Sequence, residues 1–266
     1  MKRSGTVRSH RYTYQHEWHL NEIEIIEETL ITIYVNGQEL ITLMGSPLNL
    51  DWLALGFLKN EGLIAGFDEV EQIRVIPNGC GVEVWLNRSF EKPEHVIVTS
   101  GCGRGVTFDN PAVEIRPFRD ALRVKPEHIG IAINHLQSKD SLYARARGVH
   151  AAGLLNPEDN QLLAVAEDIG RHNSIDKVRG ACLVGGIETR GCVLLTTGRI
   201  SSEMLRKGAL MGCPIIASRT SPTSLSVDMA RAWNITLVGY VRKDGVQVYS
   251  SPERLGYNGP PPLRNG

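Results

Sequence analysis

The chain has 266 residues, room for one large or two modest domains with a hydrophobic core. Hydrophobic residues make up 42% and charged residues 22%, which excludes a disordered or fibrous chain. Twenty-nine Lys and Arg balance twenty-nine Asp and Glu, so there is no global basic field of the kind a general nucleic-acid binder uses.

The first residues, Met1-Lys2-Arg3-Ser4-Gly5, are basic, but no apolar segment follows to make a secretory signal. Residues 1–21 read as a polar, poorly ordered N-terminus. A β-rich part follows over 22–115. Residues 23–35 and 40–43 are rich in strand formers and flank Asn36-Gly37, a hairpin signal. Ser46-Pro47-Leu48-Asn49 leads into a helix over about 51–58. Further strands are predicted at 70–76, 82–86 and 96–99. The Pro-punctuated stretch from Asn110-Pro111 to Arg116-Pro117 marks a boundary.

Over 116–254 the pattern alternates. Helices are predicted at 126–136, 174–183, 201–211 and 224–233, and strands at 162–166, 193–196, 214–217 and 235–241. That order implies an α/β fold with a mostly parallel sheet covered on both faces. Residues 255–266, with Gly259-Pro260-Pro261-Pro262, read as a tail. No run is long enough to cross a bilayer; the apolar stretch at 192–195 is typical. A cytoplasmic protein with neither membrane nor nucleic-acid partners is expected.

Chemistry concentrates in a few loops. In Thr99-Ser100-Gly101-Cys102-Gly103-Arg104-Gly105 a cysteine is bracketed by glycines just past a strand. Glycines allow close backbone approach, and the nearby Arg104 favours the nucleophilic thiolate. In Glu167-Asp168-Ile169-Gly170-Arg171-His172-Asn173 a carboxylate, a guanidinium, an imidazole and an amide gather after a strand. Ligands bind at the carboxyl ends of strands in open α/β sheets, although Asn173 could serve simply as a helix cap. Thr196-Thr197-Gly198-Arg199 and Ser218-Arg219-Thr220-Ser221 repeat the arrangement on later strands. Together the three strand ends suit an extended anionic ligand.

The five cysteines are odd in number and widely spaced, as free thiols in a reducing compartment would be. Cys182, Cys192 and Cys213 sit in apolar surroundings and read as inert packing thiols. Cys80 resembles part of a hairpin turn. His150 reads either as a satisfied core histidine or as a ligand.

Several runs carry a family resemblance: Thr32-Ile33-Tyr34-Val35-Asn36-Gly37, Leu53-Ala54-Leu55-Gly56-Phe57-Leu58-Lys59-Asn60-Glu61-Gly62 and Gly148-Val149-His150-Ala151-Ala152. Glu167-Asp168-Ile169-Gly170-Arg171-His172-Asn173, Ser224-Leu225-Ser226-Val227 and Leu237-Val238-Gly239-Tyr240 complete the set. In this order, over about 22–254, they resemble the FdhD family of formate dehydrogenase accessory sulfurtransferases. The resemblance implies a β-rich N-terminal part and a cytidine-deaminase-like three-layer α/β/α domain. It implies a sulfur carrier that takes sulfur from a cysteine desulfurase as a persulfide on Cys102. The sulfur then passes to Mo-bis-molybdopterin guanine dinucleotide, carried as cargo, before that cofactor enters formate dehydrogenase. The cofactor-binding segment falls on Tyr240, Val241, Arg242, Lys243, Asp244 and Gly245, beside the strand-end candidates Asp168, Arg171, His172 and Arg199. A homodimer is implied, with no metal held by the protein itself.

The sequence departs from the family pattern in two places. Many members have Cys-x-x-Cys in the reactive loop, where this chain has Gly105 at the second position. Arg242-Lys243-Asp244-Gly245 also lacks the usual glycine-arginine ending. The alternative reading is a molybdenum-cofactor chaperone that moves no sulfur. A zinc deaminase, suggested only by the implied fold, would need His-x-Glu and Cys-x-x-Cys; His150 is followed by Ala151-Ala152, and no Cys-x-x-Cys occurs.

Overall fold

In a computed structural model, which describes residues 4–77, 81–93, 96–98, 106–108, 115–138 and 140–259, the Asn36-Gly37 pair forms the expected turn. Both residues have positive φ, 48° and 79°, and they join β3 (Thr29–Val35) to β4 (Gln38–Gly45) as an antiparallel hairpin. β6 (Gly81–Leu86) runs parallel to β3 and antiparallel to β5 (Val70–Val75), giving a four-stranded sheet of order β4-β3-β6-β5. Helix α1 (Leu50–Asn60) covers it, and Leu53, Phe57 and Leu58 join Ile31, Ile33 and Val84 in one core. Two short antiparallel strands follow, β7 (Val96–Val98) and β8 (Val106–Phe108).

The N-terminus departs from expectation. Residues read as poorly ordered form a hairpin, β1 (Thr6–Gln15) with β2 (Glu17–Ile26). Strand formers are present there, but polar residues are interleaved so that neither face is wholly apolar and periodicity gives no signal. Cross-strand pairs hold it instead: the Tyr14 and Trp18 rings lie 5.4 Å apart, and Arg145 ties its base through Glu24 at 2.8 Å and Thr6 at 2.6 Å.

The second part is built on a six-stranded sheet of order β10-β9-β11-β12-β13-β14. Its strands are β9 (His150–Leu155), β10 (Leu162–Asp168), β11 (Val193–Thr196), β12 (Ile215–Ser218), β13 (Thr236–Arg242) and β14 (Gly245–Ser250). Only β11-β12 and β12-β13 pair in parallel. The three other pairings are antiparallel, so the mostly parallel sheet is corrected to a mixed one. The cause is two strands missing from the sequence reading, β9 and β14.

Along the central strands, side chains alternate between two cores. Leu194, Ile216 and Leu237 face α4 (Arg171–Gly185), α5 (Ser202–Leu210) and α6 (Ser224–Ala232). Val193, Leu195, Ile215 and Val238 face α2 (Pro126–His135). The result is a three-layer α/β/α arrangement, with the short α3 (Leu142–Ala146) leading into β9.

The two parts meet where α1 crosses α4 with almost no separation. A Cβ on Gly56 would lie 1.7 Å from the Asp176 carbonyl oxygen, and one on Gly180 would lie 1.9 Å from that of Trp52. Only glycine permits backbones to approach this closely. Beside the crossing, buried Asp176 accepts hydrogen bonds from Asn60 Nδ2 at 2.8 Å and Lys207 Nζ at 2.6 Å. Glu61 lies 3.7 Å from the same ammonium.

Candidate functional site

β10 and β11 are both antiparallel to β9, and β11, β12 and β13 are mutually parallel. Four carboxyl ends therefore share one edge of the sheet. The amino end of β9 lies there too, with His150 paired to Asp168. Three of the four strand ends are the polar loops singled out in the sequence, and the fourth is the 240–245 segment.

Asp168 is not an open contact residue. It is 0% exposed, and the Lys177 ammonium, equally buried, lies 2.6 Å from its Oδ2. Its other bonds come from Ser46 N at 3.1 Å, Gly170 N at 2.7 Å and Asn173 Nδ2 at 3.0 Å. Every direction around the carboxylate is taken by a donor, and those donors fix the 169–173 turn against the 44–46 loop. Asn173 completes the brace by donating to the Met44 carbonyl at 2.8 Å. No cap bond is made by residue 170, the N-cap position of α4. Sequence reasoning missed Lys177 and Ser46. Lys177, a lone lysine between Ile175 and Val178 on a core-facing helix, carries the signal, because a buried lysine requires an acid.

With the turn fixed, Arg171 and His150 gather over Gly198. A Cβ at Gly198 would lie 2.8 Å from Arg171 Cβ and 3.2 Å from His150 Nδ1, so the β11 loop passes directly beneath both side chains. Burial, reinforced by Arg171, pushes the His150 imidazole below its ordinary pKa, with Asp168 opposing. His150 is neutral near neutrality and can donate or accept. His172 Nε2 lies 3.0 Å from Glu203 Oε2, which ties it to α5.

The loops after β11 and β12 brace each other. Ser218 Oγ donates to the Gly198 carbonyl at 2.6 Å, Gly198 N donates to Thr196 Oγ1 at 3.1 Å, and Thr220 N donates to Ser218 Oγ at 3.0 Å. Arg199 projects from this frame, exposed.

The 240–245 segment is the connection between β13 and β14, with Arg242 paired to Gly245 and Lys243-Asp244 as the two-residue turn. Tyr240 has φ of 49°, where the pairing slips, and is 41% exposed. Arg242 donates to the Arg219 carbonyl at 2.7 Å, which joins this turn to the β12 loop. Val241 points its side chain into the core, 0% exposed. Arg171, Arg199, Tyr240, Arg242 and Lys243 thus share one edge.

Cys102 and Arg104 lie outside the described residues, as does Cys80; in sequence Cys102 falls between β7 and β8. The other three cysteines are buried. Burial pushes the Cys182 thiol up to about 11 and raises Cys192 and Cys213 as well. They stay protonated and hidden.

A mixed α/β protein with a three-layer domain and a cationic, glycine-lined sheet edge is the class these features define. The family model for the FdhD/NarQ family matches residues 26–256. A sulfur carrier protein FdhD of Staphylococcus aureus (strain MRSA252) is 36% identical over 238 residues, spanning 87% of this chain and 89% of that protein. The corresponding protein of strain Newman is 35% identical over the same length. The crystal structure of a chain from Desulfotalea psychrophila, described as a formate dehydrogenase accessory protein, superposes with a TM-score of 0.79 at 29% identity. That match covers 94% of this chain and 99% of that one. The chain belongs to the FdhD/NarQ family.

Proposed function

We propose that this chain is a sulfur carrier for the maturation of formate dehydrogenase, loading sulfur on Cys102 as a persulfide and passing it to a molybdenum cofactor held along the carboxyl edge of the sheet. The observation that carries the residue assignment is the state of the other thiols. A persulfide carrier needs an accessible thiolate. Cys182, Cys192 and Cys213 are buried and held protonated, which leaves Cys102 and Cys80. Of these, Cys102 has glycines on both sides and an arginine two residues on.

In the loading step the Cys102 thiolate attacks the terminal sulfur of a persulfide on a cysteine desulfurase. One S–S bond forms as the donor's breaks, and the donor leaves as thiolate. In delivery the acceptor supplies the electron pair of its new bond to the terminal sulfur, while the S–S bonding pair stays with Cys102, which returns to thiolate. Neither step calls on a second cysteine, so Gly105 is compatible with the cycle.

The cargo, Mo-bis-molybdopterin guanine dinucleotide, is strongly phosphorylated. Guanidinium forks match phosphate oxygens in pairs, and Arg171, Arg199 and Arg242 supply them on one edge. Gly198 lets Arg171 and His150 pack directly onto the loop backbone, where a side chain would displace them from the edge. His150, neutral and half-buried, is placed to orient a polar group of the cargo.

The test is mass spectrometry of the purified chain after incubation with a cysteine desulfurase and cysteine. A gain of about 32 Da, one sulfur, on the Cys102 peptide is expected, reversed by a reductant. Cofactor binding with no such gain would instead identify a molybdenum-cofactor chaperone, the reading that Gly105 favours.

A further inference from the structure

The opposite, amino edge of the six-stranded sheet holds a cavity of about 600 Å³ that the sulfur-carrier reading does not use. It lies between the chain segment entering α2, the turns that lead into β11 and β12, and Arg179 of α4. Phe118, Leu122 and Met211 are among its lining residues, together with Arg116, Arg119, Arg179 and Arg190.

Among the described residues none of these four guanidiniums is held in an ion pair, and Glu188 acts on Arg179 and Arg190 only at longer range. The arginine ion pairs among the described residues belong to Arg8, Arg74, Arg88, Arg145, Arg231 and Arg254. Two carboxylates also line the cavity, and both are engaged. Asp120 receives a two-pronged bond from Arg254, at 2.9 and 2.8 Å. Glu188 accepts from the Arg190 backbone N–H at 2.8 Å and holds its own turn in shape. Arg179 is the innermost of the four. Its Nη1 donates to Thr189 Oγ1, whose hydroxyl is spent on the Met211 carbonyl at 2.6 Å. Its buried Nε has no hydrogen-bond partner among the described residues. A buried donor without an acceptor is costly, and such groups commonly mark the place of an ion or ligand.

We propose that this cavity is a second anion site, taking a small phosphomonoester with an aromatic body: the phosphate bridges Arg179 and Arg190, and the ring lies against Phe118 and Met211. Planar, weakly hydrated guanidinium is the side chain best suited to a phosphate that is partly withdrawn from water. Apolar lining residues select a ligand with more than phosphate to bury.

The test is calorimetric titration of the full chain with phenyl phosphate and, separately, inorganic phosphate. Phenyl phosphate should bind one to one, about tenfold tighter than inorganic phosphate if its ring is buried. Arg190→Gln, at an exposed position whose loss leaves the core untouched, should weaken it by about tenfold or more. Arg242→Ala, on the other edge, should leave it unchanged; a thermal melt confirms that both variants are folded. Absence of saturable binding, or binding lost in Arg242→Ala and kept in Arg190→Gln, would overturn the site. Equal affinity for the two anions would overturn the assignment of an aromatic body. Sulfur loading of Cys102 is read by a different measurement, so either idea can fail without the other.

Discussion

Lys177 has no exposed surface, and the Asp168 carboxylate 2.6 Å away has none either. Replacing such a pair with apolar residues can be neutral, but removing one member strands the other in a low-dielectric interior. Lys177→Met should therefore cost about 3–5 kcal/mol in chemical denaturation and loosen the 169–173 turn that presents Arg171. His150 gives the edge a pH dependence. Its folded pKa is depressed by burial, with Arg171 and His172 adding to the effect, while the unfolded chain takes up the proton near pH 6.5, roughly the free value. Stability from this group is complete above that value and is lost as pH falls towards the folded pKa. The fall in melting temperature between about pH 7.5 and about pH 5.5 should be smaller in His150→Gln than in the parent. The thiols offer a third check. Alkylation of the native chain followed by peptide mapping should leave Cys182, Cys192 and Cys213 unmodified, and unfolding should expose all three.

At the scale of elements, the glycines of α1 and α4 reverse an ordinary rule. Gly→Ala inside an exposed helix gains about 1 kcal/mol from propensity. At Gly56 or Gly180 the added methyl would meet backbone at under 2 Å, and overpacking of this kind costs about 1–3 kcal/mol or more. Gly56→Ala and Gly180→Ala should both lower the denaturation midpoint.

The elements legible in the sequence were those with a strong local signal. The Asn36-Gly37 turn declared its hairpin, and α2, α4, α5 and α6 declared themselves by apolar spacing and polar lead-ins. β9 was illegible because His150-Ala151-Ala152-Gly153 holds poor strand formers. Gly153 sits there because a Cβ on it would lie 2.5 Å from Leu136, just past the end of α2, so packing overrides propensity. β14 carries a readable signal in Asp244-Gly245 followed by Val246 and Val248, which a binding segment ending at Gly245 overlaps only at its start. Of the site, the three polar strand ends were visible as loops. The burial of Asp168 was not visible because its partner Lys177 lies a full helix turn beyond the motif, and no local pattern discloses burial. Alternation along β13 turns the Val241 side chain inward.

Across the whole molecule, a second buried charge cluster spans the join between the two sheets. Burial alone would lower the Lys207 pKa, but Asp176 and Glu61 hold it above its ordinary value. Its ammonium stays charged, bonded to α4 and close to the end of α1. Lys207→Met would leave two acids facing each other without a cation. A loss of about 3–5 kcal/mol in a single cooperative transition is expected; two separate transitions would mean that the parts fold independently.

Backbone contact at Gly56 and Gly180 leaves no slack for a hinge. The amides of α1 and α4 should therefore exchange with deuterium at matched rates under native conditions, as one opening unit. A protein riveted in this way cannot clasp a cofactor by swinging one lobe over the other. It presents a fixed berth, and accommodation falls to the exposed side chains of Arg199, Tyr240 and Lys243, which can re-orient while the frame beneath them stands still.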